Sequence, residues 1–150
     1  MSEARHYKLF TRLILEKWQH QRVKLNPGAT EQELVDFEKL LSVNLPPDFR
    51  YFYSLVNGMK DVSDNLLFYL WSLTEIVTYK DGITVNETPF LNKTAFIFGD
   101  YLIHSHRYFL VIENNGNSFV VDEYNLEEKI ADNFAHFLEL YLSASEKIHL

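Results

Sequence analysis

Four stretches of the chain repeat bulky apolar residues at helical spacing, with polar residues between them. From about His6 to His20, Phe10, Leu13, Ile14 and Trp18 fall on one side of a helix, and Arg5, Lys8 and Arg12 fall opposite. Thr30 followed by Glu33 has the form of a capping box, opening a second helix that carries Leu34, Phe37, Leu40 and Leu41 inward. Between Pro46-Pro47 and Asn57-Gly58, the residues Phe49, Phe52, Tyr53 and Val56 recur at i, i+3, i+4 and i+7. Proline suits a helix's first turn, where the amide hydrogen it lacks has no partner, and glycine suits the left-handed turn past a helix end. The pattern therefore predicts a helix that starts at Pro46/Pro47 and stops at Gly58. Near the carboxyl end, Asp132 caps a helix facing Phe134, Phe137, Leu138, Tyr141 and Leu142 inward.

Between the third and last helices the pattern changes. Lys60–Asn65 is polar and predicts an exposed loop, while Leu66–Trp71 is apolar on both faces, as in a buried strand. Ser72 caps a short helical piece through Leu73 and Ile76. Asp81-Gly82 and Thr88-Pro89 punctuate Tyr79–Leu91 as the most loop-like region. Ala95–Phe98 predicts a strand. Arg107–Glu113 and Ser118–Glu123 flank Asn114-Asn115-Gly116-Asn117, a hairpin signal. Helices at both ends of a hairpin-containing sheet predict an α+β fold with a mixed, largely antiparallel sheet. With no repeat and no linker, the expectation is one domain over 1–150, residues 1–24 adding a basic amphipathic helix.

Composition narrows the classes. The 150 residues are 47% hydrophobic and include 12 Phe, 9 Tyr and 2 Trp, enough to build a core and too apolar for disorder. The chain has no cysteine, which removes disulfides and thiolate metal sites and suits a reducing cytoplasm. Charges interrupt the amino-terminal apolar residues, so no signal peptide is expected, and the longest apolar run, Leu66–Trp71, is too short to span a bilayer. The net charge is −7, unevenly spread: six of the 14 basic residues but only two of the 21 acidic ones lie in 1–24. An acidic body argues against direct nucleic-acid binding, which needs clustered Lys and Arg, and suits a basic protein partner.

Candidate chemistry is sparse. If Leu102–Tyr108 is extended, His104 and His106 share a face near Asp100, and the three could hold an ion such as Zn²⁺. Their spacing matches no established ligand motif, which favours histidines hydrogen-bonded at a sheet surface over a metal site. Glu123, Glu127 and Glu128 fit a solvated turn and helix start. The five glycines form no phosphate-binding loop, and no serine sits in a nucleophile elbow. No catalytic residue and no cofactor site is expected.

The run Gly28-Ala29-Thr30 with Glu33 and Phe37-Glu38, then Leu45-Pro46-Pro47-Asp48-Phe49, then Val56-Asn57-Gly58, resembles the start of the SUKH superfamily. Leu70-Trp71-Ser72-Leu73, Phe98–Ile103 with Ser105–Tyr108, and Asn133-Phe134 through Leu142 continue the resemblance, over roughly 28–142. That group takes in fungal regulators of cell-wall glucan synthesis and bacterial immunity proteins. Met59-Lys60 departs from its pattern, and Thr78–Lys93 matches nothing in it. The resemblance implies a non-enzymatic, protein-binding α+β domain. It further implies a cytoplasmic monomer or weak homodimer that neutralises a cognate, basic toxin, such as a nuclease, by occluding it. A regulatory scaffold and a small metal-dependent hydrolase on Asp100, His104 and His106 are the competing readings. Helical faces are committed to the core, so the partner is expected on rim loops bearing Asp61, Asp64, Glu75, Asp81 and Glu87. Tyr79 is the expected aromatic anchor there; Trp71 fits either an anchor or the core.

Overall fold

The computed structural model describes residues 2–148; Met1, His149 and Leu150, at the ends of the expected domain, lie outside the described residues. Helix α1 (Glu3–His20) is capped by Ser2, whose hydroxyl accepts from the Arg5 amide, and it buries Thr11, Ile14 and Trp18. Strand β1 (Leu25–Pro27) leads to α2 (Glu31–Leu41), where Thr30 and Glu33 form the expected capping box. Leu40 of α2 is 57% exposed rather than inward. Helix α3 (Pro47–Leu55) buries Phe49, Phe52 and Tyr53 as their spacing predicts.

The stop of α3 differs from the prediction. The helix ends at Leu55, and Val56–Met59 is strand β2, antiparallel to β1 with Leu25 opposite Met59. Long-range pairing draws the β-branched Val56 into extended backbone (φ −148°, ψ 121°) before any local stop signal is reached. Gly58 does adopt positive φ (+78°), but for another reason: a Cβ there would lie 2.4 Å from the Ser72 backbone nitrogen. Close approach of two backbones, as well as the turn itself, requires glycine.

The main sheet has six strands: β3 (Phe68–Leu70), β4 (Ile83–Val85), β5 (Lys93–Tyr101), β6 (His106–Glu113), β7 (Ser118–Asp122) and β8 (Asn125–Ala131). Its order is β3-β5-β6-β7-β8, with β4 sharing the β3 edge of β5, and every pairing is antiparallel. The expected hairpin forms β6 and β7. Strands β4 and β8 correct the sequence reading. In β8, Leu126 and Ile130 are four apart, which imitates a helix, while Glu127, Glu128 and Lys129 are the charges an edge strand tolerates. Helix α4 (Leu73–Thr78) is capped by Ser72, and α5 (Phe134–Leu142) by Asn133 rather than Asp132, the Asn133 side chain accepting from the His136 amide. A 3₁₀ turn, Glu146–Ile148, follows.

Aromatic rings join the layers. Phe137 of α5 meets Phe98 at 5.1 Å and Tyr108 at 4.9 Å, while Phe52 of α3 meets Phe134 at 5.4 Å and Trp18 of α1 at 6.0 Å. Phe109 neighbours Tyr108 in β6 and so faces the other way, where Phe90 covers it. A buried polar chain ties three elements together: Trp18 Nε1 donates to the Tyr141 hydroxyl, which donates to Asp64.

Candidate functional site

A cleft of about 750 Å³ opens where β3, α4 and the β5–β6 turn meet the loop after β2. Its walls are held by buried and half-buried hydrogen bonds. The Tyr69 hydroxyl lies 2.9 Å from Glu75 Oε2, and Glu75 Oε1 accepts from the Ser72 amide as part of the α4 capping box. Burial, reinforced by Glu75, pushes the Tyr69 hydroxyl well above its ordinary pKa, so it stays a donor to that carboxylate. Trp71 Nε1 donates to Asp100 Oδ2 at 2.7 Å, and Asp100 Oδ1 accepts from the His104 amide at 3.1 Å. Asp100 is 2% exposed and Trp71 3%; Trp71 belongs to the core and also lines the cleft.

The β5–β6 turn is strained. Leu102, Ile103 and His104 have φ of 53°, 52° and 67°, a left-handed run that non-glycine residues adopt only where the surroundings impose it. Here the Asp100 carboxylate and the bond from the Leu102 amide to the Leu67 carbonyl impose it. The turn holds Ile103 out at 82% exposure, beside exposed Val62 and Leu67 on the same rim.

This turn overturns the expected His104–His106 face. Leu102–Ser105 is a turn, so the alternation of a strand does not apply, and the two rings go to different carboxylates. His104 Nδ1 lies 3.5 Å from Asp100, while His106, the first residue of β6, lies 3.2 Å from Asp122. Among the described residues no group of three or more His, Cys, Asp or Glu is placed to hold a metal ion.

Of the residues predicted to meet a partner, Asp61, Glu75 and Tyr79 line the cleft. Asp81 and Glu87 are exposed but lie outside its lining. Asp64 is a correction: it is 4% exposed and accepts from the Leu66 and Phe68 amides and the Tyr141 hydroxyl. It holds the loop's shape from within, and burial pushes its carboxyl up. Arg107 stacks over Tyr79 at 5.4 Å, donates to its hydroxyl and pairs with Glu123 at 3.0 Å, fixing the ring at the cleft mouth. Sequence reasoning missed Tyr69 and Ile103 as cleft residues and offered Asp100 only as a metal ligand. The left-handed run Leu102-Ile103-His104 carries no glycine, asparagine or aspartate, and only the three-dimensional pairing of Asp100 with Trp71 reveals what shapes it.

The lining thus combines three carboxylates (Asp61, Glu75, Asp100) with aromatic and aliphatic surface, and His104 is its only basic side chain. Among the described residues no helix is long and apolar enough to cross a membrane. No curated protein matches the chain significantly. The model of the SMI1 / KNR4 family (SUKH-1) matches residues 28–140, a span that takes in α2 through most of α5 and every wall of the cleft. On that match, which covers most of its length, the chain belongs to the SMI1 / KNR4 family (SUKH-1).

Proposed function

We propose that the chain is a protein-binding module without catalytic chemistry of its own, an immunity protein that neutralises a cognate basic toxin by covering its active cleft. The observation that carries this reading is the acidic, aromatic cleft with its exposed apolar rim. A nuclease must present Lys and Arg to hold phosphate. One such side chain entering the cleft lays its aliphatic stem along Tyr79 and Leu67 and brings its charge to Asp61 and Glu75. Ile103 supplies an apolar anchor beside it, and the carboxylates steer the encounter. Action in the cytoplasm, where the cell's own nucleic acid needs protection, fits a chain without cysteine.

The test is a growth assay in bacterial cells that produce this chain together with a basic toxin found by sequencing the genes beside its own. The wild-type chain should restore growth. The Asp61→Lys/Ile103→Glu variant should fail to protect while unfolding at the wild-type temperature. Full protection by that variant, or none by the wild type, would overturn the reading.

A further inference from the structure

The opposite charge gathers at a second concavity. A groove of about 680 Å³ runs between α1 and α3, lined by Arg5, Lys8, Arg12 and Leu15 of α1 and by Tyr51 and Leu55 of α3. Leu55 is 46% exposed, while Leu15 and Tyr51 are half-buried. Lys8 Nζ stands 5.5 Å over the Tyr51 ring, and Arg12 lies 3.9 Å from Glu16 in an exposed i,i+4 contact. Among the described residues Arg5 and Lys8 form no ion pair, so two of the three cations remain uncompensated. Most of the groove's lining comes from α1, which precedes the residues that the family model covers.

We propose that this groove docks an acidic amphipathic helix from a protein partner. Arg5, Lys8 and Arg12 are spaced i, i+3 and i+7, so they form one row along the rim, spanning about 10 Å, or two helical turns. A helix laid in the valley between two helices packs its apolar stripe on Leu15, Tyr51 and Leu55, and carboxylates flanking that stripe reach the row of cations. Other anionic occupants fit less well. A membrane surface needs an available apolar helix face, and α1 has spent Ile14 and Trp18 on the core. A nucleic acid draws affinity from many phosphate contacts; this rim offers three cations on a chain of net charge −7. The inference does not depend on the toxin reading, which concerns the acidic cleft.

The experiment titrates the ¹⁵N-labelled full chain with a synthetic Leu/Glu peptide whose leucines follow i, i+3, i+4, i+7. Controls are its scrambled sequence, phosphatidylserine/phosphatidylcholine vesicles and a thymidine oligonucleotide. The amphipathic peptide should shift resonances of α1 and of Tyr51–Leu55, and added salt should weaken it. Arg5→Glu/Lys8→Glu/Arg12→Glu should reduce affinity about tenfold or more. Leu55→Asp, which leaves the cations in place, should also reduce it, and it carries the test should the triple variant fail to fold. Asp61→Lys, at the other site, should leave binding unchanged. Equal shifts with the scrambled peptide, shifts only with vesicles or oligonucleotide, or no shift with the amphipathic peptide would overturn the proposal.

Discussion

The acidic cleft and the basic groove are close in size and opposite in sign, and they are held by different means. In the cleft, Trp71, Asp100, Tyr69 and Glu75 are locked to one another by buried or half-buried hydrogen bonds, and the adjoining turn carries left-handed strain. In the groove, Arg5, Lys8 and Leu55 are exposed side chains on regular helices that are fixed only by what packs beneath them. A rigid, pre-shaped cleft loses little entropy on binding and can discriminate shape, whereas a row of solvated cations contributes mainly sign and encounter rate. The two surfaces therefore respond differently to mutation. Damage to buried contacts should disable the cleft, and only surface charge should tune the groove.

The largest expected effect falls on both. Phe52 packs between Trp18 and Phe134 beneath the groove, and Phe137 packs against Phe98 and Tyr108 beneath the sheet. Truncating either to Ala should cost about 3–5 kcal/mol in denaturant unfolding. A loss of a few tenths would mean that the two regions do not share this core.

A smaller change should separate them. Asp100→Ala strands the Trp71 indole N–H and the His104 amide, and leaving such donors buried costs about 1–3 kcal/mol. Hydrogen exchange should speed up around Leu102–Ser105 while α1 and α3 keep their protection. Equal loosening of the helices would contradict the separation. Gly58→Ala should cost about 1 kcal/mol or more, because its Cβ meets the Ser72 backbone at the foot of α4.

The subtlest test uses pH. Burial raises the carboxyls of Asp48, which accepts from the Ala135 amide at the start of α5, and of Asp64. The folded state then holds these protons more tightly than the unfolded chain does. Their contribution to stability is full below the unfolded value of about 3.9 and is lost as pH rises through the raised folded values. Asp48→Asn/Asp64→Asn removes that contribution. The stability of wild type minus variant should therefore grow in the wild type's favour as pH falls toward about 4. A difference that stays flat, or shrinks on acidification, would mean that burial does not govern these groups.

The sequence made the groove more legible than the cleft. Helical spacing placed Phe49, Phe52, Phe137 and Tyr141 in the core and Arg5, Lys8 and Arg12 on an outer face, because a 3.6-residue period is a local property. The Thr30–Glu33 and Ser72 caps were readable for the same reason. The cleft depends on contacts between residues far apart in sequence. Asp64 sits in a polar run and so looks exposed, yet Tyr141 buries it. His104 and His106 sit in a run of apolar and aromatic residues and look like one strand, yet Asp100 bends the chain between them. The order of motifs over roughly 28–142 pointed to the family, which the match over 28–140 bears out, even where local rules misplaced the end of α3 and β8.

The central claim is that the acidic cleft, and not the basic groove, meets the basic toxin. Stopped-flow association with that toxin, at low and high salt, tests it most directly. The variants are Asp61→Lys/Asp81→Lys and Arg5→Glu/Lys8→Glu/Arg12→Glu; Asp64 is left alone because it is buried. At low salt the aspartate variant should associate about tenfold more slowly than wild type, the gap should close as salt rises, and the groove variant should not slow. A wild-type rate for the aspartate variant at low salt, or slowing by the groove variant alone, would contradict the account.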